Sequence, residues 1–125
     1  NSIAIMASLL VHVTCGPNDP TRVALGFLVA MSAIDEGHEV KMFLAGDAVQ
    51  LIRDAVLDNL VGLGTGKLRE HYDAIVAAGV GIYVSGISCV TRGVTDKDLE
   101  GKKAQKAMPN VLVRLTMEAD KVLTY

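Results

Sequence analysis

At 125 residues the chain fits a single domain spanning positions 1–125, long enough to bury about two thirds of the surface its unfolded form exposes, with no need of a disulfide or metal. Half of the residues are apolar, only 4% are aromatic and Trp is absent, so the core must be built from Ala, Val, Leu, Ile and Met. A net charge of −2, from 12 basic and 14 acidic residues without a long like-charge run, excludes the basic footprint of a nucleic-acid binder, and the few aromatics argue against base stacking.

The N-terminal stretch NSIAIMASLLV carries no basic leader, so no signal peptide is expected, and the missing initiating Met suggests that a few residues have been removed. Ile3–Val13 is nearly all apolar, the pattern of a strand buried on both faces of a parallel sheet. CGPNDPTR breaks it, with Asp19 placed as an N-cap and Pro20 at the first helical position. TRVALGFLVAMSAIDEG then predicts a helix closed by Gly37. Its middle, from Val23 to Ile34, is apolar on every side. A helix of that kind must be covered from two directions, by the sheet and by another subunit.

HEVKMFLAG predicts a second strand, and DAVQLIRDAVLDNL a helix capped by Asp47. VGLGTG predicts a loop. KLREHYDAIVAAG predicts a helix with Leu68, Tyr72, Ile75 and Val76 on one face, and VGIYVS a third strong strand. GISCVTRG then opens a short helix near Ser85 or Ser88 that ends at Gly93. In the polar stretch that follows, a short helix is expected around Asp96–Glu100 and a brief strand near Ala104–Ala107. MPNVLVRLTMEAD reads as a helix and KVLTY as a closing strand.

Strands alternating with helices predict a parallel sheet with helices on both faces. Right-handed crossovers bring every strand's carboxyl end to one edge, where ligands bind in such sheets. Cys15 and Cys89, in the loops after the first and third strong strands, both belong to that edge. Two cysteines make no disulfide framework and suit a reducing, cytoplasmic setting. Apolar runs such as VALGFLVAM fall short of the roughly 20 residues of a membrane span, so a soluble protein is expected.

A thiol in the first turn of a helix feels the partial positive charge of unpaired N–H groups, which favours thiolate and reactivity. Arg92, three residues beyond Cys89, could add to that. Against this, Cys is among the most often buried residues and packs as a small hydrophobe. Both readings of Cys89 stay open. Cys15 reads either as a second, resolving thiol or as a strand-end residue under its loop, and pairing with Cys89 would need Cα atoms within about 7 Å. VGLGTGKL is not a phosphate loop, since Val61 stands where Gly is required and Leu68 where a hydroxyl is required. His12, His38 and His71 are scattered, so no metal site and no cofactor is expected, and Asp35 with Glu36 reads as solvated charge.

The stretch VTCGPNDPTRVALGFLVAMSAIDEGHEVKMFLAGDAV resembles the opening of DsrE/DsrF-like proteins, GIYVSGISCVTRGVTDKDL their cysteine loop, and EADKVLTY their closing strand. The resemblance implies a three-layer α/β/α fold around a mostly parallel five-stranded sheet. It also implies a homo- or hetero-oligomer, commonly a dimer, trimer or hexamer. In sulfur-relay members a cysteine before the Arg-Gly element carries sulfur as a persulfide between donor and acceptor proteins. That position is Ser85 here, and a second family cysteine falls at Ser88. Cys89 lies four residues past Ser85, about one helical turn. Two functions follow from the resemblance. One is a sulfur relay, with Cys89 accepting sulfur, Ser85 and Ser88 supplying loop hydrogen bonds, and Arg92 giving electrostatic support. The other is a non-catalytic oligomeric binding module with a buried, inert Cys89.

Overall fold

The computed structural model describes residues 5–125. In chain order it contains β1 (Ser8–Val13), α1 (Pro20–Asp35), β2 (Glu39–Leu44), a 3₁₀ helix (Gly46–Ile52), α2 (Asp54–Leu57) and the two-residue strands β3 (Val61–Gly62) and β4 (Gly66–Lys67). There follow α3 (Leu68–Ala77), β5 (Gly81–Ser85), α4 (Gly86–Arg92), α5 (Asp96–Leu99), β6 (Ala104–Ala107), α6 (Pro109–Glu118) and β7 (Lys121–Thr124). The main sheet runs β6-β5-β2-β1-β7, and each neighbouring pair is parallel. This is the α/β architecture expected, with helices on both faces.

Register decides what each face carries. Val11 lies opposite Met42, and Met42 opposite Ile82. With Val13, Leu44 and Val84 these side chains form one face, packed with Val23, Phe27, Leu68, Tyr72 and Ile75 from α1 and α3. The alternate positions Leu10, Phe43 and Tyr83 form the other face, packed with Leu115 of α6. Val11, Val13, Met42, Leu44 and Val84 are all fully buried, each contributing about 1.5–3 kcal/mol of transfer free energy.

Several local expectations hold. The Asp19 carboxylate accepts from the Arg22 N–H at the start of α1, with Pro20 in the first turn. Leu68, Tyr72 and Ile75 form the buried face of α3. α5 and β6 lie where the polar stretch predicts them.

Others are corrected. The first strand was expected from Ile3, a residue that lies outside those described. Strand pairing begins only at Ser8, opposite Glu39, the first residue of β2. Ala7 instead donates its N–H to His38 Nδ1 at 3.0 Å, and Ile5 and Met6 before it are exposed. The helix expected after β2 is a 3₁₀ helix broken at Arg53, whose extended backbone (φ −73, ψ 137) separates it from α2. Ala45, not Asp47, is its N-cap. The VGLGTG loop folds into the β3–β4 hairpin, pinned to the start of α1 by the bond from Leu63 N–H to Thr21 Oγ1 at 3.0 Å. The second cover expected for α1 would come from another subunit; within one chain Val23, Ala24, Phe27 and Ala30 are buried while Leu25 is 42% exposed.

The polar segment between α4 and β6 is held by Lys102. This side chain is buried, and its ammonium donates to the carbonyls of Ile52 (2.7 Å) and Asp98 (2.9 Å) and lies 3.1 Å from the Asp54 carboxylate. Its own carbonyl accepts from the Tyr72 hydroxyl at 2.6 Å. Arg69, bonded to Asp54 and Asp58, holds the Asp54 carboxyl below its usual range together with Lys102. The next residue, Lys103, turns into β6 through the left-handed region (φ 56), a strained conformation for a side-chain-bearing residue.

Lys102→Met should therefore lower stability by about 2–4 kcal/mol, because one buried and one half-buried carbonyl lose their donor, and should speed hydrogen exchange from residue 96 to residue 106. Urea unfolding followed by circular dichroism reads the first effect, and a change below about 0.5 kcal/mol would refute the clamp.

His12 supplies a second test. Its ring meets Phe43 edge-on at 5.9 Å, and its Nε2 is buried without a hydrogen-bond partner. Burial lowers its pKa. The unfolded chain therefore takes up the proton first as pH falls. His12's contribution is intact above about pH 6.5 and is lost between there and its lower folded value. The urea midpoint of the wild-type protein should fall more steeply between pH 7 and pH 5 than that of His12→Leu, with His38 and His71 common to both.

Candidate functional site

All the carboxyl ends of the main-sheet strands meet one edge, and three loops lock together there. The first follows β1 and holds Cys15 and Gly16. A Cβ on Gly16 would sit 2.5 Å from the Asp47 carbonyl oxygen, so only glycine lets this loop approach the second one, which follows β2. Gly46 in that second loop donates its N–H to Ser88 Oγ at 2.9 Å. Ser88 belongs to the third loop, the β5–α4 junction.

The junction itself follows from local sequence. Ser85 ends β5 and caps α4, its Oγ accepting the Ser88 N–H at 3.2 Å. Gly93 closes the helix in the left-handed conformation (φ 65), where its N–H reaches back to the last turn. Seven residues thus run from cap to cap, and Cys89 is the fourth of them.

Cys89 lies beyond the unpaired N–H groups and is 0% exposed, packed into the main core. Burial pushes its pKa up, and this outweighs the opposing pull of Lys106, Arg53 and Arg92, while Asp98 adds to the rise. Desolvation wins because the thiolate would have to leave water, whereas these cations act from partly solvated positions.

Arg92 is turned toward the second loop. Its Nε donates to Asp47 Oδ1 at 2.9 Å, and its Nη1 donates to Thr91 Oγ1 at 3.0 Å and to the Ser88 carbonyl at 3.4 Å. Its carbonyl accepts from Arg53 Nη2 at 2.6 Å. Ser85 is 8% exposed. Cys15 is half-buried at the end of its strand, its pKa raised by burial and by Asp19 against the pull of Arg22. Both cysteines are free. Among the described residues no group of His, Cys, Asp and Glu is arranged to hold a metal ion.

Sequence reasoning missed the accessible surface beside this loop. α4 turns Cys89 inward and Ile87 and Val90 outward, and Val90 is 81% exposed. These two side chains, with Lys106, Met108 and Val111, line an open groove of about 580 Å³ between the starts of α4 and α6. The signal was present in GISCVTR, where apolar residues stand on both sides of a helix too short to bury both.

The DsrE/DsrF-like family matches residues 7–125. The ychN protein from E. coli has the same fold, with a TM-score of 0.78 and 17% identity, over 97% of this chain and 100% of that one. A conserved protein of unknown function from Bacteroides thetaiotaomicron superposes with a TM-score of 0.72 at 15% identity, covering 100% of both chains. A protein of unknown function from Methanobacterium thermoautotrophicum gives 0.74 at 14%, over 95% of this chain and 99% of its own. No curated protein matches the sequence.

Burial separates the two cysteines experimentally. Cys89→Ser places a hydroxyl in a fully buried apolar site and should cost about 1–3 kcal/mol. Cys15→Ser, half in solvent, should stay within about 0.5 kcal/mol. Urea midpoints compare them, and equal losses would contradict the placement of Cys89.

Proposed function

The chain belongs to the DsrE/DsrF-like family, and from that premise we propose that it is a non-catalytic binding module of this fold, acting at the carboxyl edge of its sheet. The observation that carries this reading is the complete burial of Cys89 behind α4. A persulfide carrier must bring its thiolate to a donor and then to an acceptor. Here the thiol has neither exposure nor a lowered pKa. Serines occupy the two positions where the resemblance puts the family's cysteines, and serine carries no sulfane sulfur. Ser85 is engaged as a helix cap and Ser88 as the acceptor for Gly46, so both have structural work in this loop.

Self-association accompanies this function. The exposed Leu25 on α1 and the exposed Val113 and Met117 of α6 support self-association, for which the family resemblance implies two, three or six copies. Among the described residues no helix is long and apolar enough to cross a membrane.

A second reading has an observation of its own. Lys106, Arg53 and Arg92 all favour the Cys89 thiolate, so a local opening of α4 that hydrates the sulfur would expose an activated nucleophile. In that case the protein is a sulfur relay working through Cys89, with Cys15 as its second thiol and separate donor and acceptor proteins.

The two readings part on one measurement. Folded, reduced protein is incubated with polysulfide and weighed intact, alongside Cys89→Ser and Cys15→Ser. For a binding module Cys89 gains no sulfur, and its alkylation in the native state is at least about 100-fold slower than in urea, as expected for a thiol reached only through opening of the structure. Mass added in single-sulfur steps, and lost only in Cys89→Ser, would establish the relay instead.

A further inference from the structure

The groove between α4 and α6 has a chemistry more specific than an exposed apolar patch. It lies outside the carboxyl ends of β5 and β6, where the chain leaves by α4 and then, after β6, by α6, which packs on the sheet face carrying Phe43 and Leu10. Such departures to opposite faces create the crevice in which open α/β sheets bind ligands. The groove's volume of about 580 Å³ falls within the range of small-molecule sites, roughly 300–1,000 Å³.

Its lining is apolar on both walls: Ile87 and Val90 from α4, Met108 and Val111 from the start of α6. Among the described residues Lys106 is the only charged side chain that lines it, and Asn110 adds an amide. Lys106 pairs with Asp96 at 2.7 Å, and that carboxylate is 92% exposed. An exposed pair of this kind contributes little, so a competing anion that also buries an apolar body can displace Asp96. The hydrogen bond from Lys106 to Asp96 raises the Lys106 pKa.

We propose that this groove binds a small amphipathic monoanion, an aliphatic or aryl carboxylate. Its apolar body lies on Ile87, Val90, Met108 and Val111, and its carboxylate pairs with Lys106. The proposal rests on the binding-module reading and names the ligand class for it. A single cation lining an apolar trough matches one acidic head on one apolar body. Met108 adds an unbranched side chain that can adapt to differing chain shapes.

The test is an amide-resolved NMR titration of the full chain with octanoate, and with octanol as the uncharged control. Octanoate should shift the amides of Ile87, Val90, Ala107 and Val111 saturably. Lys106→Met should weaken octanoate by about tenfold while leaving octanol unchanged, the loss expected for one charge-assisted contact. Val90→Asp should abolish both responses, and its side chain is exposed enough that the fold, checked in the same spectra, is retained. Shifts that fail to saturate, that lie outside the groove, or that survive Lys106→Met undiminished overturn the proposal. So do groove signals that move with protein concentration alone, which would put a second copy in the groove. Native-state alkylation of Cys89 in the same samples separates the two failures. With Cys89 inert and octanoate silent, the ligand class falls and the module stands. If Cys89 is alkylated rapidly in the native state, the module reading falls and takes the proposal with it.

Discussion

Parallel strands cannot be joined by tight turns, and a strand whose two faces are both apolar must be covered on both. β1, β2 and β5 impose both conditions. Val11, Val13, Met42, Leu44 and Val84 need a layer on one side, and Leu10 and Phe43 need one on the other. The connections become the layers, and each returns the chain to the same starting edge of the sheet. The loops that contain Cys15, Asp47, Ser85 and Met108 are thereby gathered at the opposite edge. The location of the site follows from strand burial, before any chemistry is considered.

At that edge the decisive competition is between solvation and charge. Three cations draw the Cys89 proton off, yet burial sets the direction of the shift. The same geometry that hides the sulfur gives the loop its rigidity. Ser85 caps α4, Ser88 ties it to Gly46, and Arg92 ties it to Asp47. A loop capped from within and stitched to its neighbour at two points is well suited to holding a groove wall in place and poorly suited to swinging a thiol toward a partner. The outward face of α4, with Ile87 and Val90, is what this loop offers to solvent.

Lys102 plays the corresponding part for the other wall. By filling the carbonyl ends of the 3₁₀ helix and α5 with one ammonium, it orders a segment whose composition alone would leave it solvated. Lys103 can then hold its left-handed turn and deliver β6, with Lys106, to the sheet edge. A buried ammonium is tolerated there because its donors meet two carbonyls and a carboxylate.

The sequence by itself determined whatever depends on neighbours a few residues apart. The Asp19–Pro20 start of α1, the apolar face of α3, the cap-to-cap span of α4 and the α5–β6 succession were all legible, because caps, helical spacing and strand composition are local physics. Those elements in that order were enough for the fold class, and the quoted motifs for the family. What only the tertiary structure decided involves partners far apart in the chain. Asp47 looked like a helix cap until Arg92, 45 residues later, claimed its carboxylate. The helix after β2 breaks at Arg53, and Lys102, 50 residues beyond Ile52, caps the first half. Cys89 was placed on the right edge, yet its orientation turned on how α4 seats against the core. Sequence spacing fixes the angle between Cys89 and Val90 around a helix. Only packing, which removes one of them from water, decides which is the core residue and which is the surface.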